Sequence, residues 1–222
     1  MIKGQRRLNK PERLIAVGDI HGEYHLLREL VENRIRFDYK TDRLVFLGDY
    51  IDRGLNSREV VEYLIDFRRK HPGNIILLTG NHEVMASNAL LSKNFKDTHL
   101  WYSNGGSATV DSFKDVENAS DLLLPFIESL ELYYETDTHI FVHAGVSYSL
   151  NLVETPMEIL LWSRDIVPHC SGKEVISGHS IHREVTFYNG VTAIDTGAFK
   201  HGLLSAYDVL NKKIYSAFTG QD

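Results

Sequence analysis

The chain has 222 residues, of which 43% are hydrophobic and 24% charged, and a formal net charge of −6. This length allows one domain with a sizeable core, and the acidic balance argues against a nucleic-acid or anionic-membrane partner. No apolar run approaches the roughly 18 residues that a membrane-spanning helix needs. Cys170 is the only cysteine, so an internal disulfide is excluded and we expect a cytoplasmic protein in a reducing compartment.

We expect a single domain over residues 1–222, because no linker, repeat or low-complexity segment divides the chain. Residues 1–12 carry several basic side chains but lack the apolar segment of a secretory signal, so we interpret them as a flexible basic tail. These features leave the oligomeric state open.

The first half of the chain alternates predicted strands and helices. Apolar, β-prone runs predict strands at 14–20, 43–49 and 74–80. Apolar residues at helical spacing predict helices over 23–37 and 57–69, the second with Ser57 as its N-cap and an end at His71-Pro72-Gly73. A β-α-β-α-β order implies that neighbouring strands are parallel.

The second half is richer in strands. We expect a helix from Ser120 to about 132, bent near Pro125, and strands at 139–142, 174–177, 184–188, 191–194 and 203–209. Asn189-Gly190 predicts a hairpin between two of them, and Asn211-Lys212-Lys213 is interpreted as another turn. The predicted fold class is therefore mixed α/β, with a parallel first half joined to a partly antiparallel second half.

Each of the first three strands ends in a glycine that is followed by Asp, His or Asn. The fragments are Gly-Asp-Ile-His-Gly at 18–22, Gly-Asp-Tyr-Ile-Asp-Arg-Gly at 48–54 and Gly-Asn-His-Glu at 80–83. Because the carboxyl ends of parallel strands meet at one edge of a sheet, these side chains are expected to form one site. Two later histidines also follow strands, which gives the candidate metal ligands Asp19, His21, Asp49, Asn81, His143 and His179.

Oxygen and nitrogen ligands without a thiolate suit Mn, Fe or Zn. One carboxylate can bridge two ions about 3.5–4 Å apart, which is the arrangement of two-metal hydrolases. Metal-assisted hydrolysis of a phosphoester also needs a proton for the leaving group. His82 beside Asp52 is the candidate acid, and Arg53 and Arg164 are candidates for binding the phosphate.

This set of motifs resembles the phosphoprotein phosphatase family of calcineurin-like metallophosphoesterases, in particular its bacterial and phage branch. The resemblance covers about residues 14–209 and includes His143-Ala144-Gly145, Gly178-His179 and Trp101 to Thr109. It implies an α-β-β-α sandwich of two mixed sheets flanked by helices. It also implies two divalent metal ions, with Mn²⁺ expected and Fe or Zn as alternatives. Asp49 would bridge an ion held by Asp19 and His21 and an ion held by Asn81, His143 and His179.

Three functions compete on this sequence. The expected one is a serine/threonine protein phosphatase that acts on a phosphorylated protein, a phosphopeptide or a small phosphoester. The alternative is a hydrolase of dinucleoside polyphosphates such as diadenosine tetraphosphate, which the same family includes. A catalytically silent binding scaffold is the third, and it is disfavoured because no candidate ligand is missing.

One further residue and one tripeptide have competing interpretations. Glu83 either contacts metal or caps the helix that begins near it, and we expect the cap. Asp195-Thr196-Gly197 is the tripeptide of aspartic proteases, but one copy would serve only a homodimer and accounts for none of the metal-type residues. We interpret it as a structural turn near the site.

Overall fold

The computed structural model describes residues 11–220. Most of the predicted basic tail, residues 1–10, lies outside this range. The described part contains ten strands: β1 (Arg13–Val17), β2 (Asp42–Phe46), β3 (Ile75–Leu77), β4 (Tyr133–Glu135), β5 (His139–Val142), β6 (Glu174–Ser177), β7 (Thr186–Tyr188), β8 (Val191–Ala193), β9 (Leu203–Asp208) and β10 (Lys213–Phe218).

Eight α-helices are described: α1 (Tyr24–Arg28), α2 (Ser57–Lys70), α3 (Asn81–Ser92), α4 (Phe95–Trp101), α5 (Ser107–Phe113), α6 (Val116–Glu128), α7 (Met157–Trp162) and α8 (Ala198–His201). Two π-helical segments, Glu29–Ile35 and Tyr102–Gly106, continue α1 and α4. None of the helices between residues 11 and 220 is long and apolar enough to cross a membrane.

The strands form two five-stranded mixed sheets, in the orders β10-β9-β1-β2-β3 and β4-β5-β6-β8-β7. In the first sheet β1, β2 and β3 are parallel, as predicted from their β-α-β-α-β order. In the second sheet β5, β6 and β8 are parallel, and β4 and β7 are antiparallel edges. The predicted mixed α/β class with two mixed sheets is confirmed.

Both faces of the central strands are buried, which explains their continuous apolar runs. Ile15 and Val17 of β1 pack toward the helices α1 to α6, whereas Leu14 and Ala16 pack toward the second sheet. Phe141 of β5 meets that same inter-sheet cluster. Alternate residues of β5 and residues of α7 form a third cluster on the outer face of the second sheet. The order of layers is therefore helix, sheet, sheet, helix.

Several local predictions differ from the structure. Asn56 rather than Ser57 is the N-cap residue of α2, and the Ser57 hydroxyl instead accepts the N–H of Asp52 at 3.1 Å. The helix predicted from Ser120 begins at Val116, because the Asp115 side chain caps it by accepting the N–H of Asn118. The chain after 211–213 returns as β10, which the sequence patterns did not predict.

Candidate metal centre and active site

Except for Arg164, which follows α7, the predicted site residues lie just after β1, β2, β3, β5 and β6, in loops or, after β3, in the first turn of α3. Ten described non-glycine residues have positive φ, and five of them are predicted site residues: His21, Asp49, Asp52, Arg53 and His179. Such conformations cost about 1–3 kcal/mol each and persist where surrounding contacts dictate them. The loops are therefore held in unfavourable backbone shapes at the site.

Close packing between the loops after β2 and β3 requires glycine. Gly48 has a φ of 103°, and a Cβ placed on it would lie 2.7 Å from the Cα of Gly80. The backbones of the two loops therefore touch, which brings Asp49 beside Asn81. Glu83 stabilises this junction by accepting the N–H groups of Gly80 at 2.9 Å and of Asp49 at 2.8 Å. The predicted capping role of Glu83 is confirmed.

Asp49 is shared by two groups of potential metal ligands. Asp49, His143 and His179 form one group, and His21, Asp49 and His82 form the other, with ligand atoms within 4.8 Å of one another in each group. The Oδ1 atom of Asp49 lies 3.5 Å from His143 Nε2, and its Oδ2 atom lies 3.4 Å from His21 Nε2. Adjacent ligands about 2.0–2.2 Å from a common ion are separated by about 3.0–3.5 Å, so these spacings suit metal coordination.

Asn81 completes the group around His143. Its Oδ1 atom lies 2.9 Å from His143 Nε2 and 3.0 Å from His179 Nδ1. The Nδ1 atom of His143 is 2.9 Å from the carbonyl oxygen of Leu47, to which it donates. The Nε2 atom of neutral His143 therefore presents a lone pair to the lone pairs of Asn81 Oδ1. A cation between these two atoms would satisfy both of them.

The three histidines predicted as metal ligands are held as neutral imidazoles. Burial lowers the pKa of His21 to about 3 and also lowers the pKa of His143. Burial and the neighbouring His143 lower the pKa of His179 to about 4. His21 Nδ1 donates to the carbonyl of Ile51 at 2.9 Å, which leaves its Nε2 lone pair free for a ligand. Neutral imidazoles oriented in this way are what metal binding requires.

Asp19 is buried in the site and contacts the backbone of another predicted ligand. Its Oδ2 atom accepts the backbone N–H of His179 at 3.0 Å, and the two ligand groups described above do not include it. Burial, Asp195 and Asp49 hold the pKa of Asp19 well above its ordinary value. Three buried carboxylates so close together are expected to attract a divalent cation, whose charge would favour their ionised forms. The residues present therefore fit divalent metal ions.

His82 and Asp52 form the predicted pair beside this centre. The Nδ1 atom of His82 lies 2.6 Å from Asp52 Oδ2, and its Nε2 atom faces Asp49 Oδ2 at 3.9 Å. Burial opposes protonation of the imidazole, but Asp49 and Asp52 outweigh burial and raise the pKa of His82 above its ordinary value. The pair thus has the geometry and charge of a proton donor.

Arg53 lies over the site, against an aromatic ring that the sequence patterns did not single out. Its guanidinium is 3.2 Å from His21 Nε2 and 3.1 Å from His82 Nε2. The guanidinium carbon also lies 4.4 Å from the centre of the Phe199 ring, and this ring meets His21 edge-on at 5.2 Å. Phe199 thus supports Arg53 from α8, the short helix between β8 and β9. Its one sequence signal is its position just after Asp195-Thr196-Gly197.

Arg164 is placed near the site without touching it. It is exposed in the loop after α7. Burial and His143 are the main causes of the lowered pKa of His179, and the charge of Arg164 lowers it further. Between residues 11 and 220 its side chain makes no hydrogen bond. The structure thus brings Arg53, and not Arg164, into contact with the predicted ligands.

The Asp195-Thr196-Gly197 segment forms the expected turn. Asp195 Oδ1 accepts the N–H of Gly197 at 2.9 Å, and the hydroxyl of Thr196 donates to the carbonyl of Leu203 at 2.8 Å. Asp195 is buried, and burial raises its pKa to about 6. Its carboxylate adds to the negative charge near Asp19 and Asp49.

Comparisons with known proteins agree with this geometry. The sequence profile of the calcineurin-like phosphoesterase family matches residues 12–201. The chain is 33% identical over 211 residues to serine/threonine-protein phosphatase 2 of Salmonella typhimurium, an alignment that covers 87% of this chain and 91% of the relative. It is also 33% identical over 168 residues to the symmetrical bis(5'-nucleosyl)-tetraphosphatase of Methylococcus capsulatus, covering 71% of this chain and 53% of the relative. A solved structure of a candidate diadenosine tetraphosphatase has a TM-score of 0.71 at 20% identity and covers 96% of both chains.

The two-sheet fold and the shared ligand groups define a metallophosphoesterase. The chain belongs to the calcineurin-like phosphoesterase family. It is a hydrolase that acts on phosphoric ester bonds, as its motifs predicted. The predicted resemblance to bacterial serine/threonine phosphatases is also confirmed, because the bacterial relative matches over nearly its whole length.

Divalent metal should bind and stabilise the protein, because it offsets the buried carboxylates. At 100 times its dissociation constant, Mn²⁺ should add about 2.7 kcal/mol to the free energy of unfolding, read as a rise in Tm. Asp49→Asn should reduce the metal content measured by mass spectrometry, because Asp49 belongs to both ligand groups. The exposed Asp137→Asn is the matched control. Equal metal content in the two variants would contradict the shared role of Asp49.

Proposed function

We propose that this protein is a serine/threonine protein phosphatase with a dinuclear metal centre. One observation carries the proposal. Two ligand groups that share Asp49 meet at one edge of the two sheets, and the His82–Asp52 pair and Arg53 lie beside them. The near full-length match to a bacterial protein of that name supports the substrate class. Cys170, the one cysteine of this chain, is exposed and unpaired, which supports a cytoplasmic location. Residues 1–222 are proposed to act as one domain.

The proposed metal ligands are the six residues predicted from the sequence; His82, which shares a ligand group with His21 and Asp49, is assigned to the proton transfer instead. His21 and Asp49, with Asp19, would hold one ion, and Asp49, Asn81, His143 and His179 would hold the other. When bound, the two ions supply Lewis-acid activation of the attacking water and of the phosphate oxygens. Mn²⁺ is favoured over Mg²⁺ because imidazole ligands suit later first-row metals, whereas Mg²⁺ prefers oxygen and water.

Arg53 is proposed to bind the phosphate group. The lone pair of His21 Nε2 serves either the guanidinium or a metal ion, and not both at once. Metal loading would therefore free a planar guanidinium, supported by Phe199, to donate to an anion. The fork of two N–H groups matches two phosphate oxygens. Arg164 would approach the same anion from the loop after α7, on the side of His179.

His82 is proposed to protonate the leaving oxygen. Because Nδ1 is committed to Asp52, Nε2 is the atom that would carry the transferable proton. It can do so once the Arg53 guanidinium, 3.1 Å from Nε2 in this structure, has turned to the phosphate. Asp52 stabilises the charged imidazole and fixes its orientation. The proton passes from Nε2 to the departing alkoxide as the bond between phosphorus and oxygen breaks.

A second candidate function rests on the other named relatives. Both the tetraphosphatase of Methylococcus capsulatus and the structure of the candidate diadenosine tetraphosphatase share this fold. The phosphate-binding core serves either substrate, so the loops around it determine the choice. The bacterial phosphatase is favoured because its match covers more of both chains.

A side-by-side assay tests the substrate class. The enzyme should hydrolyse phosphoserine and phosphothreonine peptides with a higher kcat/KM than diadenosine tetraphosphate. Chelation should abolish both activities, and Mn²⁺ should restore them better than Mg²⁺. A clear preference for the dinucleotide would replace the protein phosphatase assignment with the nucleotide hydrolase. Full activity after verified removal of all metal would overturn both.

Removal of the proposed acid should slow the chemical step selectively. His82→Asn is expected to lower kcat about 10²–10⁴-fold on an alkyl phosphate. The loss on p-nitrophenyl phosphate should be smaller, because this leaving group needs less protonation. The exposed His25→Asn serves as the control for a histidine substitution. Equal losses on the two substrates would assign His82 a different role.

The two arginines can be separated by phosphate inhibition. Arg53→Ala should weaken inhibition by inorganic phosphate about 10-fold to 100-fold, the usual range for a hydrogen bond to a charged group. Arg53→Lys should restore only part of the loss, because an ammonium lacks the bidentate fork. Arg164→Ala should have a smaller effect in the same direction. If Arg164→Ala changes neither phosphate inhibition nor kcat/KM, Arg164 has no role in binding and Arg183 is the next candidate.

A further inference from the structure

The carboxylate of Asp52 is held by more than its histidine partner. Asp52 is fully buried and has a φ of 73°. Its Oδ1 atom accepts the hydroxyl of Thr109 at 2.6 Å. The indole Nε1–H of Trp101 lies 2.9 Å from Oδ1 and 3.1 Å from Oδ2. With His82 on Oδ2, both oxygens are committed, so the carboxylate has one orientation.

These two donors come from one segment that follows α3. Trp101 ends α4, Thr109 lies in α5, and the π-helical residues Tyr102–Gly106 connect them. Gly106 packs against the indole, since a Cβ there would lie 2.7 Å from the ring. Gly105, with a φ of 104° and a ψ of 7°, interrupts the helical backbone and makes a kink between α4 and α5. The backbone of the segment thus places an indole N–H and a hydroxyl on the same carboxylate.

The same segment also contacts the neighbouring arginine. The carbonyl oxygen of Gly105 accepts the backbone N–H of Arg53 at 3.2 Å. Gly105 has a φ of 104°, and a Cβ on it would lie 2.8 Å from Arg53 Cγ. Segment 101–109 therefore holds Asp52 by its side chains and Arg53 by its backbone. Both are residues with positive φ that need such support.

We infer that Trp101 is a positioning residue for the proton donor, with Thr109 as its second donor. Trp101 fixes the Asp52 carboxylate so that Oδ2 receives His82 Nδ1 and the Nε2 atom of His82 faces the reacting group. Trp101 itself does not touch the substrate. The inference rests on the proposed role of His82. It assigns a role in turnover to a buried tryptophan that would otherwise be interpreted as a core-packing residue.

The acceptor of the indole hydrogen bond distinguishes these two interpretations. A packing tryptophan commonly donates to a backbone carbonyl or to solvent, whereas this one donates to the side-chain carboxyl group that contacts the proposed acid. Hydrogen bonds to charged groups contribute more than neutral ones. Loss of the indole N–H would leave the buried carboxylate partly unsatisfied and free to rotate away from His82.

A double-mutant cycle on the metal-loaded enzyme tests the inference. Trp101→Phe should lower kcat on an alkyl phosphate about 10-fold to 100-fold, with a smaller loss on p-nitrophenyl phosphate and little change in KM. In the His82→Asn background the same substitution should change kcat by less than about 2-fold, because its effect passes through His82. Thr109→Val, which keeps the volume and removes the hydroxyl, should show the same pattern with a smaller loss.

Tyr102→Phe is the control, since Tyr102 is the adjacent aromatic residue and makes no hydrogen bond to Asp52 within residues 11–220. Metal content and Tm are measured for every variant. Equal fold losses for Trp101→Phe and Thr109→Val with and without His82 would overturn the inference and leave the proposed function standing. A wild-type protein that hydrolyses no phosphoester with any added metal would overturn the proposed function, and this inference with it.

Discussion

The position of the Asp49 carboxylate is the constraint on which the rest of the site depends. Its two oxygens face different histidines, His143 at 3.5 Å and His21 at 3.4 Å, so one side chain joins both ligand groups. Its Oδ1 atom also accepts the N–H of His82 at 3.0 Å. A residue that serves two groups tolerates little displacement. The left-handed backbone at Asp49 and the contact between the Gly48 and Gly80 loops both serve to hold it in place.

The two-sheet architecture supplies partners to Asp49 from both sides. The strand β2 lies between β1 and β3, so the loops after all three parallel strands meet at one edge. The second sheet packs face to face with the first and brings His143 and His179 to the same edge from β5 and β6. Burial then keeps the imidazoles of His21, His143 and His179 neutral, while the buried carboxylates concentrate negative charge. The fold thus creates a site that is short of positive charge, and divalent cations match that deficit.

The substrate is harder to assign than the reaction type, because the residues at the centre of the site and the residues around it have different tasks. Every residue placed at the centre has a proposed role toward a phosphate, a metal ion or the proton of the leaving group. Arg164 and the exposed Trp162, whose ring lies 6.4 Å from that of His179, belong to the surroundings instead. Other parts of the chain support the centre. The ring of Phe199 packs against Arg53, and segment 101–109 donates hydrogen bonds to Asp52. The proposed acid, the proposed anion-binding arginine and the proposed metal ligands are therefore held by separate parts of the chain.

The sequence by itself determined the parallel strand order, the mixed α/β class and the residues that gather at the sheet edge. It did so because a strand, a glycine and a polar ligand are adjacent in the chain, and local patterns record adjacency. Only the tertiary structure decided the contacts of Trp101 and Thr109 with Asp52, the ring of Phe199 beneath Arg53, the orientation of Asp19 and the edge strand β10. Trp101 and Thr109 lie 49 and 57 residues from Asp52 along the chain. Contacts across such distances depend on how helices and loops pack against the sheet, and no periodicity in the sequence encodes that packing.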